Sequence, residues 1–160
     1  MRAEIAILAV SACMAGCSAG TKTNAGADSS FAKVQRQGAI VMGVDQYTSQ
    51  HVFESLPDGG RIVLERKESD PTGEATIRAH MRTIAEEFRR GDFTLPGVVH
   101  SMENVPGTAA MRRLSADISY TPRDLPHGGE LLISTKNPDA VSAIHEFLTF
   151  QRMDHRTGMH

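Results

Sequence analysis

Leu56-Pro57-Asp58-Gly59-Gly60-Arg61-Ile62-Val63-Leu64 returns later in the chain as Leu125-Pro126-His127-Gly128-Gly129-Glu130-Leu131-Leu132-Ile133. Each copy is a turn signal between two strand-like runs, and each follows an extended segment, around His51–Phe53 and Ile118–Tyr120. Gly-Gly at such a place predicts a tight hairpin whose turn uses the positive φ that glycine tolerates. Both copies then run into a helix start, Asp70-Pro71 in one and Asn137-Pro138 in the other. Asp or Asn as a cap followed by Pro at the first helical position is a strong N-terminal signal. In the first helix Ile77, Met81, Ile84, Ala85 and Phe88 share one face, and Gly91 stops it. The second runs from about Pro138 to Met153, with Val141, Ile144, Phe147, Leu148 and Phe150 on a wider apolar face.

The body is thus read as two strand-strand-helix units, about 51–90 and 118–153, joined by a Pro- and Gly-broken connector over 91–117. Ala39 to Tyr47 reads as one further strand ahead of them. Each unit has an apolar sheet face and an apolar helix face. One antiparallel sheet with both helices on one side buries all four, so the expected class is α+β, built from two pseudo-repeats.

The chain has 160 residues, enough for one such domain and little more. With 17 Lys and Arg against 19 Asp and Glu, it has no basic excess to attract nucleic acid. Aromatics make up 5% and Trp is absent, which argues against a base- or sugar-stacking platform.

The N-terminus carries its own message. Met1-Arg2 is followed by an apolar run from Ile5 to Val10, then small residues, then Met14-Ala15-Gly16-Cys17. This resembles a bacterial lipoprotein signal peptide with its lipobox, although Glu4 blunts the positive region and Met14 stands where Leu is usual. An apolar stretch this short cannot span a bilayer, which takes about 20 residues. The resemblance implies cleavage after residue 16 and acylation of Cys17, so the expected organisation is signal peptide 1–16, flexible tether 17–30, α+β domain 31–156 and flexible tail 157–160. Cys13 then leaves with the signal, and the mature chain lacks a thiol for nucleophilic, redox or zinc-ribbon chemistry. The expected location is the cell envelope, lipid-anchored and facing the periplasm or exterior.

The chemistry rests on seven histidines: His51, His80, His100, His127, His145, His155 and His160. His80 and His145 occupy comparable places in the two helices, at the border of each apolar stripe. His51 lies on the strand before the first Gly-Gly turn, and His100 in the connector. His51, His80, His100 and His145 are therefore the candidate metal ligands, for a copper or zinc ion, with Met102, Met111 and Met153 as soft donors suited to Cu(I). Such a site requires imidazoles converging to within about 2.0–2.1 Å of one point. The competing reading makes each a half-buried structural histidine. The Met- and His-bearing tail 153–160 is a second, looser place for copper. Asp45 and His51 offer an acid-base pair. No catalytic residue is assigned, and neither a P-loop nor an EF-hand loop is present.

Met42-Gly43-Val44-Asp45-Gln46, Thr48 to Phe53, Asp58-Gly59-Gly60, Ile77-Arg78-Ala79-His80, Gly91-Asp92-Phe93, Pro96, His100, Pro106-Gly107, Met111, Ala143 to Leu148, Phe150-Gln151 and His155 to Gly158 together resemble a family of small uncharacterised bacterial envelope proteins. The resemblance covers about 40–158. The family form usually has His-His-Phe where this chain has His51-Val52-Phe53. Members sometimes carry the transferred name aspartate carbamoyltransferase. Such transferases hold carbamoyl phosphate with Ser-Thr-Arg-Thr and His-Pro-x-Gln segments. This chain has Ser134-Thr135-Lys136-Asn137 and no His-Pro-x-Gln. Three functions are therefore expected in turn: an envelope protein binding a metal through histidines, an interaction module for an envelope partner or a homodimer, and a small acid-base enzyme.

Overall fold

A computed structural model describes residues 25–43 and 45–157. The expected signal peptide, Cys17, the first part of the expected tether and the tail residues 158–160 lie outside the described residues. Helix α1 (Ala25–Met42) and a short 3-10 turn (Gln46–Thr48) precede strands β1 (Ser49–Leu56) and β2 (Gly59–Arg66). Then come helix α2 (Pro71–Arg89), two short helices α3 (Thr94–His100) and α4 (Thr108–Arg113), a 3-10 turn (Ser115–Asp117), strands β3 (Ile118–Leu125) and β4 (Gly128–Thr135), and helix α5 (Pro138–Asp154).

The fold is α+β, with one antiparallel sheet in the order β1-β2-β4-β3. The two strand-strand-helix units are β1-β2-α2 and β3-β4-α5. Both long helices start as their sequences require. Asp70 accepts from Gly73 N at 3.0 Å and Asn137 from Asp139 N at 3.0 Å, each with Pro at the start of the helix.

The units are related by a pseudo-twofold axis through the central pair Ile62 and Leu131 of β2 and β4. Hydrogen bonds obey it: Arg66 N donates to His127 O at 2.8 Å, and its mate Thr135 N donates to Asp58 O at 2.9 Å. Each helix crosses to the other unit's strands, α2 over β3 and β4 and α5 over β1 and β2. Ile77, Met81 and Phe88 of α2 and Ile144, Phe147 and Leu148 of α5 meet Leu64, Leu131 and Ile133 in a core where most of these residues are almost fully buried.

Gly59 takes the positive φ expected of these glycines, at +145, and the pairs have a second job as well. The two-residue turns are Pro57-Asp58 and Pro126-His127, and the glycines already belong to strands. A Cβ on Gly59 or Gly128 would sit 2.1 Å from the carbonyl oxygen of Ile133 or Leu64 on the facing strand. A Cβ on Gly60 would meet Leu148 at 2.2 Å, and one on Gly129 would meet Met81 at 3.0 Å. The glycines allow β2 and β4, and the helices above them, to approach closely.

Where a strand is expected over 39–47, α1 instead runs on to Met42 and a 3-10 turn begins at Gln46. Val34, Gly38 and Met42 recur every four residues and are buried on one side of α1. That period outweighs the strand preference of Ile40 and Val41. Gly43, at φ +70, ends the helix. The helix begins at Ala25, inside the stretch read as tether. Among the described residues no helix is long and apolar enough to cross a membrane.

Candidate functional site

On the helix side of the sheet, α1 and α3 roof a small cavity of about 70 Å³ whose floor is His51 and Phe53 of β1 with Ile62 and Leu64 of β2. Its walls are α2, with His80, and the end of α5, with Gln151 and His155. Four of the chain's seven histidines, His51, His80, His100 and His155, therefore line one space. Among the described residues the lining contains no carboxylate, Lys or Arg, and the nearby Asp154 carboxylate is held by His100.

The rings touch. His51 stacks on His155 with centroids 5.3 Å apart, and His155 meets His100 edge-on at 5.1 Å. His51 Nε2 lies 3.4 Å from the thioether sulfur of Met42, the last residue of α1. His155 is 8% exposed, and its Nδ1 has no hydrogen-bond partner. His100 differs from the others. Its side chain is 1% exposed, with Nδ1 against the Asp154 carboxylate and Nε2 2.8 Å from Gln151 Oε1. Both its nitrogens are engaged, so it braces the wall between α3 and α5.

Burial makes protonation unfavourable here, because a charged imidazolium would lose its hydration. Burial, and then the neighbouring His80, lower His51 to about 4. Burial alone lowers His80 to about 4. His155 falls to about 2, through burial first and then through His51 and His100. All three are neutral near pH 7, the form in which an imidazole nitrogen can bind a metal.

The four expected ligands separate into three that meet and one that does not. His51, His80 and His100 line the cavity. His145 lies elsewhere, with Nε2 2.8 Å from Leu56 O at the β1–β2 turn. The reason is the repeat itself. Aligned on their caps, the two helices pair His145 with Arg78, and His80 with Phe147. Arg78 reaches the opposite turn in the same way, its Nη2 2.7 Å from Leu125 O, the mate of Leu56. His145 and Arg78 are equivalent turn braces, and the expected match of His80 with His145 does not hold.

His155 is the residue that sequence reading assigned to the tail. It continues the α5 stripe Phe147, Gln151, His155 at steps of four, which is the signal that marks it as inward-facing. The expected methionines are also elsewhere: Met111 is in the core, and Met102 and Met153 are exposed. Met42 and Met81 line the cavity instead. Asp45 does not pair with His51. Its carboxylate accepts from Tyr47 N at 2.8 Å. Thr135 and Asn137, in the segment nearest to a carbamoyl phosphate loop, hold the start of α5 in place: the Thr135 hydroxyl donates to Asp117 O and Asn137 is the helix cap. Among the described residues no three His, Cys, Asp or Glu side chains stand as a ready coordination set.

No family profile, curated protein or solved structure matches this chain.

The internal repeat supplies a comparison of its own. The pseudo-twofold axis takes His51 to Tyr120 and His155 to Phe88. These mates also form a ring pair, with centroids 5.9 Å apart, but an edge-on one within the aromatic core. One half of the protein closes this place with Phe and Tyr. The other half puts two imidazoles there, one with an unpartnered nitrogen, beside a cavity.

Proposed function

We propose that this chain is a lipid-anchored envelope protein that binds a transition-metal ion in the cavity beneath α1 and α3. The observation that carries the reading is the replacement of the Phe88–Tyr120 pair by His155–His51 at the dyad-related place. Each half leaves one buried polar atom unpartnered at this place, the Tyr120 hydroxyl in one and His155 Nδ1 in the other, but only the second is an imidazole nitrogen beside the cavity that His51 and Met42 also line. The fold can fill that position with the rings of Phe88 and Tyr120, as its other half does. Neutral imidazoles beside a thioether, in a space whose described lining has no carboxylate, suit a soft or borderline metal and are poor for Mg²⁺ or Ca²⁺, which need oxygen donors.

The other two functions have weaker support. The open face of the sheet has ion pairs at its centre: Arg61 reaches Glu54 at 2.6 Å and Glu130 at 3.3 Å, and Arg123 reaches Glu130 at 3.5 Å. A docking face for an envelope partner or a second copy is expected to be apolar at its core. An acid-base enzyme needs a general acid or base paired with a second polar group around the cavity, and the one carboxylate–imidazole pair there among the described residues, Asp154 with His100, has its imidazole also held by Gln151.

The test is a calorimetric titration of the full-length chain, with Cys13→Ser and Cys17→Ser removing competing thiols, against Cu(I), Cu(II), Zn(II) and Ni(II). One ion per chain, lost in the variant His155→Phe, supports the reading. Binding no tighter than that of a free His-containing peptide would overturn it.

A further inference from the structure

We infer that the ion is monovalent copper, held by the thioether of Met42 together with the imidazoles of His51 and His155. This assignment rests on the metal-binding reading above. Its starting point is the 3.4 Å separation of Met42 Sδ and His51 Nε2. With bond lengths of about 2.0 Å to nitrogen and 2.3 Å to sulfur, two donors this far apart subtend roughly 105° at one ion. The pair already has the spacing of two ligands of a single metal. His155 stacks on His51, and no hydrogen bond anchors its Nδ1. With that nitrogen unpartnered beside His51, His155 is the third donor assigned to the ion.

The donor set selects the ion. His100 is withdrawn by Asp154 and Gln151, which leaves the imidazoles of His51, His80 and His155 and the thioethers of Met42 and Met81 in the lining, and of these the thioether at ligand spacing from His51 is that of Met42. Zinc and other divalent ions at protein sites generally take four or more donors, commonly with an anionic ligand. Thioether sulfur is a soft donor that selects Cu(I), which two or three such ligands can satisfy. Charge points the same way. The cost of taking an ion out of water scales with the square of its charge, so a divalent ion loses roughly four times as much as a monovalent one on entering this apolar space. No carboxylate among the described lining residues offsets that difference.

Met42 also links the site to the roof. It is the last residue of α1, and Gly43 immediately after it adopts φ +70. A ligand on the roof helix means that the metal fastens α1 to β1.

The experiment uses the full-length chain with Cys13→Ser and Cys17→Ser, loaded anaerobically with Cu(I) in competition with the chromophoric chelator bicinchoninate. Copper K-edge absorption of the loaded chain should show one sulfur scatterer and two nitrogens. Met42→Leu keeps an apolar side chain of similar volume. It should weaken Cu(I) binding at least tenfold, remove the sulfur signal, and leave Zn(II) and Cu(II) affinity unchanged. An all-nitrogen shell in the unmodified site, with Met42→Leu binding normally while His155→Phe abolishes binding, would overturn the Cu(I) assignment and leave the metal cavity standing. Cu(I) binding that neither Met42→Leu nor His155→Phe alters would overturn both. The absorption spectrum needs no variant, so a folding defect in Met42→Leu would not blur the result.

Discussion

Replacing His155 by Phe should make the protein more stable while abolishing metal binding. The native imidazole is 8% exposed and buries Nδ1 without a partner, a cost of about 1–3 kcal/mol. Phe at this place reproduces the dyad-related Phe88, which packs edge-on to Tyr120 at 5.9 Å. The slightly larger ring has the adjoining cavity of about 70 Å³ to enter, so overpacking is limited. A gain of about 1–3 kcal/mol corresponds to roughly 3–9 °C in melting temperature for a domain of this size. The assay is thermal unfolding of the metal-free full-length chain, followed by circular dichroism at pH 7, beside a metal titration of the same sample. A lower melting temperature would refute the argument that His155 is held at a cost to stability. Undiminished metal binding would refute its place in the site.

Other consequences can be checked separately. Phe88→Ala empties a fully buried position against Phe93, Tyr120 and Phe147, and should cost about 3–5 kcal/mol by urea denaturation. His145→Ala should cost only about 0.5–1.5 kcal/mol, the loss of one hydrogen bond to Leu56 O, and leave metal affinity unchanged in calorimetry. The metal-free protein should be sensitive to mild acid. His51, His80 and His155 bind protons more weakly when folded than the usual 6.5, so the unfolded chain takes up protons that the folded chain refuses. Their contribution is complete above about pH 6.5 and is lost as the pH falls toward 4, each tenfold difference in affinity being worth about 1.4 kcal/mol. Urea midpoints measured across that range should fall steeply, and a flat profile would contradict the burial of these rings.

The fold could be read from the sequence because its evidence is local and occurs twice. The Gly-Gly hairpins, the Asp70-Pro71 and Asn137-Pro138 caps and the helical stripes all recur, and each copy supports the other. The swap of helices between units was not written locally. It follows from which faces meet in three dimensions, as does the second job of the glycines, which is close approach of neighbouring elements. Helix α1 was misread because Ile40 and Val41 favour strands, whereas its inward side depends on Val34, Gly38 and Met42 meeting the rest of the fold.

The site divides along the same line. His51, His80 and His100 were expected to meet on grounds of residue type, and they line one cavity. His145 was added by a repeat alignment that matched the wrong residues. Aligning on the caps instead pairs it with Arg78, and the equivalent bonds to Leu56 O and Leu125 O explain both. His155 was overlooked because it sits just past α5, where a polar residue looks like the start of a tail. Its four-residue step from Gln151 was visible, but its ring partners His51 and Phe53 come from the other end of the domain.

The most direct test follows the imidazole nitrogens of the full-length Cys13→Ser, Cys17→Ser chain by NMR as one equivalent of Cu(I) is added without oxygen. The account predicts that His51 and His155 shift together and saturate at one ion, while His127 and His145 stay unchanged. Shifts confined to His160, with His51 and His155 unmoved, would contradict it.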